Sequence, residues 1–169
     1  HGFTIPTYVY GGIGNDTIIG QAKSMFVVYG GDGDDVVDVS GSTARCTLAG
    51  EAGNDSLTAS SLDASVFTLS NFLSGGEGND TMMSPTGGCE MRGGAGDDTM
   101  SATYGSNHFV GEDGDDSITG GTGDDSAEGR AGNDTIRTGL GNDTLNGGAD
   151  DDYLESGSGN DIIMDIGGG

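Results

Sequence analysis

Residues 111–164 read GEDGDDSIT GGTGDDSAE GRAGNDTIR TGLGNDTLN GGADDDYLE SGSGNDIIM, six consecutive nonapeptides with nothing between them. Each is a version of Gly-Gly-x-Gly-(Asn/Asp)-Asp-x-apolar-x. Towards the N-terminus the same phrase recurs at intervals, so that eleven copies begin at Gly11, Gly30, Gly50, Gly75, Gly93, Gly111, Gly120, Gly129, Thr138, Gly147 and Ser156. Self-similarity at a fixed period is the signature of a repeat architecture and outranks local propensity.

The sixth position is aspartate in every copy: Asp16, Asp35, Asp55, Asp80, Asp98, Asp116, Asp125, Asp134, Asp143, Asp152 and Asp161. The fifth is always Asn or Asp, and the fourth is Gly except at Asp150. The eighth is apolar throughout, as Ile18, Val37, Leu57, Met82, Met100, Ile118, Ala127, Ile136, Leu145, Leu154 and Ile163. Solvated turns alone require neither invariance. The first six residues read as a turn in which glycines permit positive φ, and the last three as a short strand whose eighth side chain points inward. Two nonapeptides then close one 18-residue coil, and coils stack about 4.8 Å apart, the separation of paired strands.

These motifs resemble the RTX calcium-binding family, the nonapeptide-repeat parallel β-roll of secreted bacterial proteins, and the likeness covers roughly nine tenths of the chain. The resemblance implies an all-β, right-handed parallel β-roll (β-solenoid) with calcium ions stacked in its turns. It implies as ligands the eleven sixth-position aspartates together with first- and third-position carbonyls, here those of Gly30, Asp32, Gly75, Glu77, Gly93, Ala95, Gly111, Asp113, Gly120, Thr122, Gly129, Ala131, Thr138 and Leu140. An all-oxygen shell on a flexible loop suits calcium better than magnesium, and no EF-hand loop is present. One end of the roll should stack eight full turns and the other three, headed by Gly120, Thr138 and Ser156. One ion between neighbours gives about nine calcium ions.

Composition carries the same dependence. Leu, Ile, Val and Phe number 30 of 169 residues beside a net charge of −23, the signature of a chain that stays disordered unless something else folds it. Nine divalent cations would leave about −5. With five basic residues the chain is not expected to bind nucleic acid, and it has no apolar stretch long enough for a membrane span.

Spacing divides the chain. The copy starts advance by 19, 20, 25, 18 and 18 residues up to Gly111 and by 9 afterwards. Residues 1–10 form a lead-in strand, 11–110 one-sided repeats with degenerate second half-coils, 111–164 continuous nonapeptides and 165–169 an uncapped glycine tail, all within one elongated domain. The degenerate halves keep an inward apolar residue two places before each motif: Val28, Leu48, Leu73, Met91 and Phe109, preceded by Val9. Extra residues concentrate between Ala59 and Ser74.

Cys46 and Cys89 stand in the column that holds aspartate in a full copy, which reads Phe26, Cys46, Asn71, Cys89, Asn107. Two rungs of separation, about 9.6 Å, exceed the reach of a disulfide, so both are expected as buried free thiols unless the 59–74 segment bulges out and removes a rung. His1 and His108 lack a third ligand for a copper site, and no nucleophile elbow, zinc spacing or phosphate loop is present, so no catalysis is expected. With no signal peptide in view the chain reads as a mature product or an excised piece. Five Asn-Asp-(Ser/Thr) sequons inside the turns favour a bacterial source.

The leading function is an extracellular or cell-surface structural rod that folds on external calcium, with head-to-tail self-association through uncapped ends. Outward apolar patches at Tyr8, Tyr10, Val27, Tyr29 and Phe72, and at Ile162, Met164 and Ile166, accompany those ends. The alternatives are a secretion and folding module of a larger exoenzyme or toxin, and a polysaccharide- or ice-binding module using the Ser/Thr column Thr17, Ser56, Thr81, Thr99, Ser117 and Thr135.

Overall fold

Alternating apolar residues, separated by glycine turns too short for a helix, dictate strands. The computed structural model describes residues 6–21, 23, 25–60 and 71–167, with no helix among them. Seventeen strands follow in chain order: β1 Thr7–Ile13, β2 Thr17–Ile19, β3 Phe26–Asp32, β4 Val36–Val39, β5 Cys46–Ala52, β6 Ser56–Ala59, β7 Asn71–Glu77, β8 Thr81–Ser84, β9 Cys89–Ala95, β10 Thr99–Ala102, β11 His108–Asp113, β12 Ser117–Thr122, β13 Ser126–Ala131, β14 Thr135–Leu140, β15 Thr144–Ala149, β16 Tyr153–Glu155 and β17 Ile162–Met164. Odd-numbered strands form one nine-stranded parallel sheet and even-numbered strands an eight-stranded one, each in sequence order. The chain thus alternates between two facing sheets. The expected parallel β-roll is the fold.

Register converts the apolar columns into a core one side chain thick from each sheet. Val9, Val28, Leu48 and Leu73 lie on successive rungs of one sheet, with Ile18, Val37, Leu57 and Met82 on the other. Most of both columns is fully buried; Ile163, the last inward position, is instead 51 % exposed because no coil covers it. Two to four apolar side chains per coil, several of them only Ala or Cys, are few against the conformational entropy of ordering some eighteen residues. The turns must supply the rest.

Backbone conformation explains the glycines. Gly33, at position four, takes φ 122°, a region in which L side chains are strained. Asp150 fills the same slot at φ 73°, the left-handed region that Asp tolerates better than most, and so preserves the turn despite the substitution. Glu51, Glu112 and Arg130, at position two, likewise hold φ of 84–91°.

Candidate metal columns

Each aspartate sits where a turn delivers the chain to the next strand, and its carboxylate ties two coils together. The N–H of Asp98 donates to Oδ1 of Asp116 on the following coil at 2.8 Å. The same bond links Asp16, Asp35, Asp55, Asp80, Asp98, Asp116, Asp134 and Asp152 in one unbroken ladder, every step 2.8 Å. At the opposite end, Asp125 donates to Asp143 and Asp143 to Asp161, at 2.8 and 3.0 Å. The stacks of eight and three follow from the spacing of the copies.

From Asp35 onward Oδ1 of the ladder is thereby used, and Oδ2 is left over: in Asp16, Asp35, Asp55, Asp80, Asp98, Asp116, Asp125, Asp134, Asp143 and Asp152 it is buried without a hydrogen-bond partner. Buried carboxylate oxygens are costly unless paired with positive charge. First-position glycine leaves room for that charge. A Cβ built on Gly93 would strike Asp98 Oδ2 and lie 2.6 Å from the carbonyl oxygen of Gly111 on the next coil. The same relationship recurs for Gly30 with Gly50, Gly75 with Gly93, Gly111 with Gly129, and Gly120 with Thr138, at 2.7–2.8 Å. Carboxylate and carbonyl oxygens converge there, the donor set of a hard cation.

Third-position carbonyls are partly engaged. Those of Asp32, Glu77, Ala95, Asp113, Ala131 and Leu140 each accept the N–H of the fourth-position glycine one coil earlier, at 2.6–2.8 Å, which leaves one lone pair apiece. Thr122 occupies the same position, bridged to Tyr104. Thr138 and Ser156 replace glycine at position one, and the Thr138 hydroxyl donates to the Ser156 carbonyl at 3.1 Å, where the other copies present a bare glycine.

Burial pushes the carboxyls of Asp80 and Asp116 up to about 7 and those of Asp98, Asp125 and Asp134 up to about 6, with repulsion from neighbouring aspartates adding to it and the N–H bond from the preceding coil opposing it. Asp55 is raised for the same first reason. Among the described residues no three His, Cys, Asp or Glu side chains gather at one point, as expected of a site built from stacked single carboxylates and main-chain oxygens.

A family model, that of the RTX calcium-binding nonapeptide repeat, matches residues 8–22, 27–41, 47–61, 70–84, 92–127 and 128–163. The chain belongs to that family. Among curated proteins none matches it. RTX repeats bind calcium, and the orphaned Oδ2 atoms are consistent with that ion.

A second ladder in the RTX turns has its sequence signal in the unbroken Asn/Asp at position five, though its role is legible only in three dimensions. Asn79 Oδ1 accepts the N–H of Asp97, and Asp97 Oδ1 that of Asp115, at 3.0 Å each, so the fifth side chain holds the coil after it while the sixth holds the coil before.

The other singled-out residues fall as follows. Cys46 and Cys89 are free and buried, and Asn71 occupies the rung between them, donated to by the Cys46 N–H and paired with Cys89. The disulfide alternative therefore fails, because no rung is removed. Burial pushes the Cys89 thiol up to about 12 and raises that of Cys46. His108 is an outer-face residue between Glu90 and Ser126, whereas His1 lies outside the described residues, as does most of the 59–74 excursion. Tyr8 and Tyr10 are exposed and Tyr10 stacks on Tyr29 with ring centres 5.1 Å apart, but Val27, expected in the same outward patch, is buried between Tyr8 and Thr47. Ser56, Thr81, Thr99, Ser117 and Thr135 align on five successive rungs, separated from Thr17 by Val36. Arg92, Arg130 and Arg137 pair with exposed glutamates and so lie apart from the aspartate columns.

Proposed function

We propose that this chain is a secreted, non-catalytic structural rod that stays unfolded at low calcium and folds when external calcium neutralises its two aspartate columns. The observation that carries this reading is the run of ten buried Oδ2 atoms without partners. Each ion would be held by the Oδ2 of one sixth-position aspartate, the first-position carbonyl of the next coil, and turn carbonyls at position three. Bound there, calcium supplies the positive charge that lets carboxylates stack one rung apart. Seven rungs of the long column and two of the short one make about nine ions per chain, with the Thr138 rung the weakest because its hydroxyl crowds the site. Equilibrium dialysis tests this reading: about nine calcium ions retained per chain support it, and no uptake contradicts it.

Edge strands extend the proposal to self-association. β1 and β2 at one end, and β16 and β17 at the other, carry exposed Ile13, Ile19, Ile162 and Ile163. Parallel pairing of the edges of two copies would continue both sheets and bury the inward Ile163 against the core column of the next copy, a heterologous contact that generates filaments. Light scattering in millimolar calcium should show growth that Ile163→Asp abolishes. A strictly monomeric folded particle at high concentration contradicts the assembly.

A further inference from the structure

On the proposed reading of the aspartate columns, the short column must stop somewhere inside the roll, since its rungs continue towards the N-terminus as a turn of the same backbone shape. Residues 102–107, Ala-Thr-Tyr-Gly-Ser-Asn, stack on residues 120–125: Ser101 pairs with Thr119, Tyr104 with Thr122, and Gly105, at φ 90°, lies against Gly123. Asn107 thus holds the sixth position. It is 4 % exposed and its N–H donates to Asp125 Oδ1 at 2.8 Å, as an aspartate there would.

The orientation of its amide is fixed by a neighbour. Asn107 Oδ1 accepts the N–H of Cys89 at 3.1 Å, and a backbone N–H can only donate, so the oxygen must face Cys89. Nδ2 is therefore turned the other way, into the place that Oδ2 takes in the full copies. There it donates to Gly105 O and to Asp125 Oδ1, both at 2.8 Å, with the first-position carbonyl of Gly120 at 3.5 Å. Three oxygens surround an N–H₂ group. In addition, Ala102 sits at position one, so a real methyl occupies the space that glycine keeps open in the coils with a cradle.

We infer that Asn107 ends the short calcium column by substituting its own amide donors for a cation, so that the rung between residues 102–107 and 120–125 is closed to metal and bonded without it. The next turn up carries Cys89 at position six, which offers no carboxylate, so a column that passed Asn107 would have no ligand to meet.

Native mass spectrometry of the full chain in calcium tests this with three proteins. Ala102→Gly alone should hold the same number of ions as the parent, because the amide still occupies the site. Ala102→Gly combined with Asn107→Asp should hold one more, and should still fold when calcium is added. An extra ion in Ala102→Gly alone, or no extra ion in the double variant, overturns the inference, as does a double variant that fails to fold in calcium. A parent chain that takes up no calcium at all would instead overturn the reading on which the inference rests.

Discussion

Asp98 bonds in both directions along the roll: its Oδ1 accepts the N–H of Asp80 at 2.8 Å while its own N–H donates to Asp116 Oδ1, and its Oδ2 is left facing the space before the Gly111 carbonyl. One residue therefore couples three coils, by its carboxylate in one direction and its N–H in the other. Removing it as Asp98→Ala leaves a buried N–H without an acceptor, at about 1–3 kcal/mol, and disturbs the metal rung. The calcium concentration for half-folding should rise, though by well under about tenfold, because a loss of a few kcal/mol is shared among about nine linked ions. Asp161→Ala also orphans one N–H, that of Asp143, but Asp161 closes its column with no following turn to share an ion, so the midpoint should shift less. Equal shifts in a circular dichroism titration would contradict the ladder.

First-position glycine is tested without touching a carboxylate. Gly93→Ala would put a methyl against Asp98 Oδ2, 2.6 Å from the Gly111 carbonyl, and should weaken calcium binding about as much as Asp98→Ala. Thr138→Gly is the mirror experiment and should tighten the weakest step of the calorimetric binding curve. Unchanged binding in both would dissociate the cradle from the metal.

Position five is expected to act on stability alone. Asn79→Ala removes the acceptor of the Asp97 N–H, an exposed bond, and should cost about 1 kcal/mol in denaturant unfolding at saturating calcium. The number of bound ions should not change.

Proton and calcium compete for the same oxygens. An aspartate of the unfolded chain titrates near 3.8, whereas burial raises Asp80 and Asp116 to about 7 in the roll. Between these values the metal-free roll binds protons that the unfolded chain has released, so its stability is greatest below the unfolded value and is lost as pH rises through about 7. The chain that calcium meets is unfolded, however, and its aspartates are already ionised above about 3.8. Calorimetry at pH 6 in buffers of different ionisation heat should therefore detect almost no proton release on calcium binding, and release there would mean that the metal-free chain is already rolled up.

Much of this was legible from spacing. The invariant aspartate and apolar columns specify strand, turn and coil because only a period of nine brings those residues into register, and the offset of Gly120, Thr138 and Ser156 by half a coil separates the short column from the long one. What one dimension concealed depends on neighbours a whole coil away. Asn107 reads as one more polar residue in a degenerate half until Cys89 fixes its amide, and Val27 reads as an exposed outward residue until Tyr8 and Thr47 flank it. The Cys46 to Cys89 separation was legible because Asn71 stands between them in the column.

Calcium-dependent folding is tested most directly by far-ultraviolet circular dichroism of the full chain, first in excess chelator and then as calcium is added. The account predicts a disordered spectrum in chelator, a cooperative rise of strand signal with calcium, and little response to magnesium at the same concentration. A strand-rich spectrum that persists in excess chelator would contradict it.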